Sequence, residues 1–447
     1  MSTLYRRGRI LTPAAAGATA LLVDGATVSW VGADADAPGA SRTVDLDGAL
    51  VTPAFVDAHV HVTDTGLALD GLDLRPARSL REALDAVERA ARRGRGRPIL
   101  GGGWDETTWP EQRPPTSAEL DRASYGGLVY LARVDIHSAV VSSSLLASVP
   151  GLAGGGPADG VRGQGWIGEP AHDRVRTAAL RALGAGQRRD AQRSALRAAA
   201  ALGIACVHEM AGPVISGADD LLALLAPGDD EDLPRVVGYW GELGAIDAAH
   251  ELGAVGAAGD LFCDGSLGSN TAALRSPYAD RPDTAGLLRH DTAELVEHIV
   301  ACAEAGLQSG FHAIGDAAVD QVLDAYELAS GRLGRPAGAG QRIEHAEYVQ
   351  DPARLAASGL TASMQPCFDE LWGGTSGLYS TRLGAERALA LNRCGELAAA
   401  GVPLAFGSDT PVTALGPWAA IRAAAHHHDP TASLDPLAAF DAHTRAA

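Results

Sequence analysis

Beyond about residue 196, short apolar runs alternate with amphipathic stretches. The runs Ile204–Glu209, Arg235–Trp240, Asp260–Asp264, Ser309–Ala313, Arg342–Ala346, Leu360–Gln365 and Pro403–Ser408 predict strands. Helical signals lie between them. Asp291-Thr292-Ala293-Glu294 caps a helix that stops at Gly306, and Asp351-Pro352 opens another that Gly359 closes. Asp at the cap, Pro at the first helical position and Gly after the end follow the usual asymmetry. Strands and helices in alternation predict βα units on a parallel sheet. An earlier apolar run, Leu50–His61, ends in His59-Val60-His61 and supplies an eighth strand. Eight βα units close a TIM-like (β/α)8 barrel, an α/β fold. An open doubly wound sheet predicts a Gly-x-Gly-x-x-Gly turn after an early strand, and none stands there.

The remaining segments have a different texture. Residues 1–54 read as short strands and turns, with Asp24-Gly25 between the apolar runs Ala20–Val23 and Thr27–Val31 as a hairpin signal. Residues 62–195 carry two capping boxes, Ser79-Leu80-Arg81-Glu82 and Thr116-Ser117-Ala118-Glu119. They also hold the strand-like runs Ile99–Trp104 and Leu128–Arg133 and a glycine-rich loop, Gly151–Gly165. The expected division is a β unit at 1–54, a barrel from 55–61 and 196–447, and an insertion domain at 62–195 between the first and second barrel strands.

Composition narrows the chemistry. The formal charge is −19, which argues against nucleic acid or an anionic membrane surface as the partner. All 36 basic residues are arginine. A chain without lysine has no Schiff base, no pyridoxal phosphate anchor and no P-loop lysine. The 5 cysteines show no C-x-x-C spacing, which disfavours a disulfide framework or a zinc knuckle. No apolar run reaches about 18 residues, so no membrane span is expected. Arg6, Arg7 and Arg9 precede a short alanine-rich run interrupted by Pro13, a poor match to a secretory signal. The cytoplasm is the default expectation.

Four predicted strand ends carry metal-binding side chains. His59 and His61 sit two apart, on one side of a strand. His312 ends Gly310-Phe311-His312, His345 ends Arg342-Ile343-Glu344-His345, and Asp409 follows Ala405-Phe406-Gly407-Ser408. Barrel enzymes place their sites at this C-terminal face. A buried imidazole or carboxylate there needs a partner or a metal to offset its desolvation. His-x-His alone is weak; agreement among several strand ends is not.

These stretches resemble the amidohydrolase superfamily, more narrowly the family 3 branch that includes N-substituted formamide deformylase-like proteins. The resemblance is carried by Thr52–His61, Gly102-Gly103-Trp104, Arg133–His137, Asp264–Ser269, His312–Asp316, Arg342–Ala346 and Gly407–Val412. It implies a barrel, a small β-sandwich and an insertion covering the active site. It also implies His59, His61, His312, His345 and Asp409 as ligands of a divalent metal. Many relatives carry a lysine, which can be carboxylated to bridge two ions, where this chain has Asp260. The family pattern suggests Glu169 as the substitute. Asp260 is the poorer choice, because the predicted strand 260–264 puts it at the wrong end. The alternative for Glu169 is a first-turn acid before the helix at Ala171. The family's sandwich is completed by strands after the barrel, so ending at Ala447 reads as an incomplete sandwich and a fragment.

The expected chemistry is hydrolysis of a non-peptide C–N bond, amide or formamide-like, in a small molecule. Zinc is the first choice for a His/carboxylate site, as one or two ions. Asp409 is the expected general base. His345 serves as a ligand or polarises the substrate oxygen. Trp104, His137 and Asp264 are candidate substrate contacts. A structural role competes for each of the first two. His208 is expected in a supporting role, His426-His427-His428 as solvated surface, and Cys263 as an inert buried thiol. Competing readings on the same fold are a deaminase, an ester or lactone hydrolase, and a non-catalytic scaffold or binding protein. Homo-oligomerisation is compatible with the sequence but nothing in it requires one.

Overall fold

The computed structural model describes residues 1–133, 138–152, 154, 156, 160–161, 163–168, 171–226 and 232–445. Residues 1–55 and 56–447 form two compact units. In the first, Ala20–Asp24 and Thr27–Gly32 make the predicted hairpin. Its turn is Gly25-Ala26 rather than Asp24-Gly25, because Asp24 still pairs with Thr27. Gly25 adopts a φ of 60°, where a glycine meets no steric penalty. Ser2–Arg6 pairs antiparallel with Ala20–Asp24 and parallel with Arg42–Asp45, completing a four-stranded sheet. Arg9–Ile10 and Leu50–Val51 form a separate parallel pair.

The second unit is built on eight parallel strands, arranged in chain order. They are β1 (Phe55–Val60), β2 (Ile204–Ala211), β3 (Arg235–Trp240), β4 (Gly256–Ala257), β5 (Gln308–Ala313), β6 (Arg342–His345), β7 (Thr361–Met364) and β8 (Leu404–Phe406). The sheet curls until β8 meets β1. There the Asp409 N–H donates to the His59 carbonyl (2.8 Å) and the His61 N–H to the Thr410 carbonyl (3.0 Å). The result is the expected (β/α)8 barrel, nearly closed. β5, β6 and β8 are buried almost throughout, as parallel strands covered on both faces must be.

Local signals set the helices. Asp351 accepts a hydrogen bond from the Arg354 N–H, Pro352 begins the helix Pro352–Ser358, and Gly359 ends it at φ 77°. The helix Thr292–Ala305 stops at Gly306 in the same left-handed conformation. One strand boundary differs from expectation. β4 is only Gly256–Ala257, four residues upstream of the predicted start, with Phe262 making an isolated bridge to His312. Asp260 therefore lies beyond the C-terminal end of β4, on the functional face.

Between β1 and β2, a five-stranded sheet runs in the order Trp166–Ile167, Ala139–Val141, Val129–Arg133, Ile99–Trp104, Leu72–Asp73. It carries a core on each face. Val129 and Leu131 pack with Leu80, Val87, Trp104 and Leu120; Tyr130 packs with Val141, Leu145, Ile167 and Val175. That split is the alternation of strand side chains. Among the described residues, no helix is long and apolar enough to cross a membrane.

Candidate metal centre

Five barrel strands aim side chains at one point. His59 lies on β1 and His61 immediately after it; Asp260 follows β4, His312 lies on β5, His345 ends β6 and Asp409 follows β8. Asp260 Oδ1 is 3.5 Å from both His59 Nε2 and His345 Nε2, and its Oδ2 is 3.2 Å from His61 Nε2. Asp409 Oδ1 lies 3.6 Å from His59 Nε2 and 3.2 Å from His61 Nε2. Three overlapping triads result: His59, His345 and Asp409; His59, His61 and Asp260; Asp260, His312 and His345. Within each, the donor atoms lie no more than 4.8 Å apart.

These spacings suit a metal. Four donors about 2.1 Å from one tetrahedral ion lie about 3.4 Å from one another. His59 Nε2, Asp260 Oδ1 and Asp409 Oδ1 are buried and make no hydrogen bond among the described residues. Such orphaned atoms are costly unless something satisfies them. Imidazole and carboxylate are the donor types that divalent transition metals take.

The orientation of each ring is set from behind. His59 Nδ1 faces Glu344 Oε2 at 2.9 Å, His61 Nδ1 the Met210 carbonyl at 3.1 Å, and His345 Nδ1 the Gln365 Oε1 at 2.7 Å. His312 Nδ1 lies 3.3 Å from Asp264 Oδ1, though not aligned as a hydrogen bond. Engaging one ring nitrogen turns the other inward and fixes its tautomer. Phe368 stacks parallel to the His345 ring, with 6.1 Å between centroids.

The electrostatics are those of a cluster built around positive charge. Burial pushes the His59 imidazole down, but Asp260 and Asp409 outweigh it and hold it up at about 10. His61 is likewise buried yet raised well above its ordinary value by the adjacent Asp260 and Asp409 carboxylates. Burial opposes ionisation of Asp260, yet the surrounding imidazoles hold it well below the carboxylate range. Backbone strain gathers at the same place: His345, Ala346 and Asp409 have φ of 69°, 45° and 53°. Non-glycine residues hold such angles only where their surroundings impose them.

His59, His61, His312, His345 and Asp409 thus converge as expected. Asp260 joins them, correcting the expectation that it sits at the wrong end of its strand. The missed signal was Gly259-Asp260, with Gly259 at φ 86° breaking the strand before the acid. Trp104 is corrected from pocket wall to core: it is fully buried and its indole N–H donates to the Leu131 carbonyl. Asp264 is corrected too. It is fully buried and accepts from the backbone N–H groups of Ala273, Ile314 and Gly315, so it ties loops together rather than facing a substrate. His427 is buried, its Nε2 2.9 Å from the Leu391 carbonyl, and His428 Nδ1 pairs with buried Asp369 at 3.0 Å. His426 and His428 are exposed, as expected, so only His427 of that run departs from solvated surface. Cys263 is buried, and burial raises its thiol well above the ordinary value, as an inert thiol requires. His137 and Glu169 lie outside the described residues.

Residues 42–447 match the model of the amidohydrolase family. The chain belongs to this family. It is 30% identical over 423 residues to the protein LONG AFTER FAR-RED 3 of Arabidopsis thaliana, covering 85% of this chain and 69% of that one. It is 25% identical over 439 residues to the N-substituted formamide deformylase of Arthrobacter pascens, covering 90% and 80%. Among solved structures, an uncharacterized metal-dependent hydrolase from Pyrococcus furiosus superposes with a TM-score of 0.84 at 29% identity, covering 100% of this chain and 94% of that chain. Family membership makes the chain a hydrolase whose barrel carries the converging donors.

Proposed function

We propose that this amidohydrolase cleaves a non-peptide carbon–nitrogen bond, amide or formamide-like, in a small molecule in the cytoplasm, with zinc at the His/Asp cluster. The observation that carries the reading is the convergence of the His59, His61 and His345 Nε2 atoms on the Asp260 and Asp409 carboxylates. The similarity to a metal-dependent hydrolase and to a formamide deformylase supports it.

A bound divalent ion lowers the pKa of a water toward about 7 and polarises a carbonyl. The chain's residues do the rest. His59, His61, His312, His345, Asp260 and Asp409 are the holding set. An ion that keeps a position open for chemistry takes three or four protein donors, so six donors exceed what one such ion uses. His59, His61 and Asp260 would hold one ion and Asp260, His312 and His345 a second, with Asp260 in the role the family pattern suggested for Glu169. Asp409 is the general base: it takes the proton of the attacking water and returns it to the leaving nitrogen. Its left-handed backbone is pinned to the His59 carbonyl, which holds the carboxylate beside the His59 and His61 rings.

The test is metal analysis of the purified protein followed by a screen of N-formyl and N-acyl compounds. Stoichiometric zinc, with release of formate or another acid together with an amine, is expected. Protein that binds no metal and gains no activity on metal addition rules the reading out. Ammonia release without an acid product would mark a deaminase instead.

A further inference from the structure

Behind the cluster, a single guanidinium joins five of the eight barrel strands. Arg342, on β6, is buried with all of its donor groups engaged. Its Nε and Nη2 grip Glu344 Oε1 and Oε2 at 2.7 and 3.0 Å, a bidentate pair. Nη2 also donates to the Ala58 carbonyl of β1 at 2.6 Å and to Ser363 Oγ of β7 at 3.0 Å. Nη1 donates to His208 Nδ1 of β2 at 2.8 Å and to the Tyr239 hydroxyl of β3 at 3.3 Å, and the guanidinium carbon lies 4.7 Å from the Tyr239 ring centre. Glu344 is fully buried, and its Oε2 also meets His59 Nδ1 at 2.9 Å.

We propose that Arg342 is a positioning residue for the metal centre, acting through Glu344 on His59. A carboxylate buried this deeply stays ionised only beside a paired cation, and Arg342 is that cation. With Nδ1 held against Glu344, the other ring nitrogen of His59, Nε2, is the one turned toward Asp260 and Asp409. The contacts to Ala58, Ser363, His208 and Tyr239 fix where the guanidinium sits, so Glu344 cannot drift away from His59. A metal-binding histidine oriented by a carboxylate loses about 10–100-fold in metal affinity when that support is removed.

The inference rests on the metal reading above, and one experiment separates the two. Zinc affinity is measured by chelator competition on the full chain, with circular dichroism as the check on folding. The variants are Arg342→Lys, Glu344→Gln, their double variant and Tyr326→Phe. Arg342→Lys and Glu344→Gln are each expected to weaken zinc binding about 10–100-fold. The double variant should be no weaker than the worse single, because both act along one path. Tyr326→Phe, which removes a buried hydrogen bond to Ser309 and none made by Arg342 or Glu344, should bind zinc within about twofold of the native chain. If the native chain binds no zinc, the metal reading fails. If it binds zinc and Glu344→Gln binds equally well, the positioning role fails alone. Losses that multiply in the double variant overturn it as well. Should Arg342→Lys not fold, Glu344→Gln against Tyr326→Phe still decides.

Discussion

Asp260 Oδ2 lies 3.2 Å from His61 Nε2, although β4 contributes only Gly256 and Ala257 to the sheet. The carboxylate is placed by the chain leaving the strand early, with Gly259 turning at φ 86°. Asp260→Asn keeps the size and removes the charge. It is expected to reduce bound zinc from two ions per chain to one or none, read by elemental analysis. Glu169→Gln is expected to leave the stoichiometry unchanged. Two ions retained in Asp260→Asn would remove Asp260 from the bridging role, and loss in Glu169→Gln would hand that role to Glu169.

Asp409 sits beside both imidazoles of the His-x-His pair and is held by a backbone hydrogen bond to His59. As a general base it contributes about 100–10,000-fold to the rate. Asp409→Asn should lose at least that much in kcat on whichever substrate the screen identifies. Its KM should change far less. A variant that loses only KM would place Asp409 in substrate binding instead.

The barrel and most of its donors were legible because each strand end carries its own signal. His59-Val60-His61, His312, His345 and Asp409 all follow an apolar run, and period-two geometry states which way they point. Asp260 was misplaced for the opposite reason: Asp260–Asp264 has the apolar texture of a strand, while the paired strand is the weakly patterned Gly256–Ala257. Trp104 stayed open between pocket wall and core, and Asp264 was taken as a substrate contact, because pattern marks a residue as unusual without showing its partners. The Leu131 carbonyl and the Ala273, Ile314 and Gly315 amides come from distant segments. Arg342 and Glu344 stood in a recognisable stretch, but their role did not show, since the contacts of Arg342 to four other strands exist only once the barrel has closed.

Glu209 links stability to pH. Its carboxylate is buried, accepts the Val62 N–H at 2.7 Å, and is pushed up to about 7 by burial, opposed by His61. In the unfolded chain a glutamate titrates near about 4.3. Between those values the folded state holds the extra proton, so stability falls as pH rises from about 4.3 to 7 and levels off above. Glu209→Gln keeps an acceptor for Val62 and removes the titration. In urea unfolding of metal-free protein, its stability relative to the native chain should climb by about 2–3 kcal/mol between pH 5 and pH 8. A difference that stays flat with pH would mean that Glu209 is not held protonated.

The seam between β8 and β1 has no room for a side chain. A Cβ on residue 407 would lie 2.5 Å from the His59 backbone nitrogen, 2.8 Å from the His59 Cβ and 3.1 Å from Asp57 Oδ1. Asp57 Oδ1 accepts the Ser408 N–H at 2.8 Å, so the same contact orients the residue before Asp409. Gly407→Ala must therefore push β8 away from β1. The expected cost is about 1–3 kcal/mol, as for an overpacked core. The displacement also falls on His59 and Asp409 together, so zinc affinity should drop with stability. Gly331→Ala is the control. Gly331 lies in the helix Asp316–Leu333, where an added Cβ would meet nothing within 4 Å, and alanine there should be neutral or stabilising by up to about 1 kcal/mol. Gly407→Ala protein with native stability and native zinc affinity would show that the seam can open without disturbing the donors, and that their placement depends on the loops rather than on barrel closure.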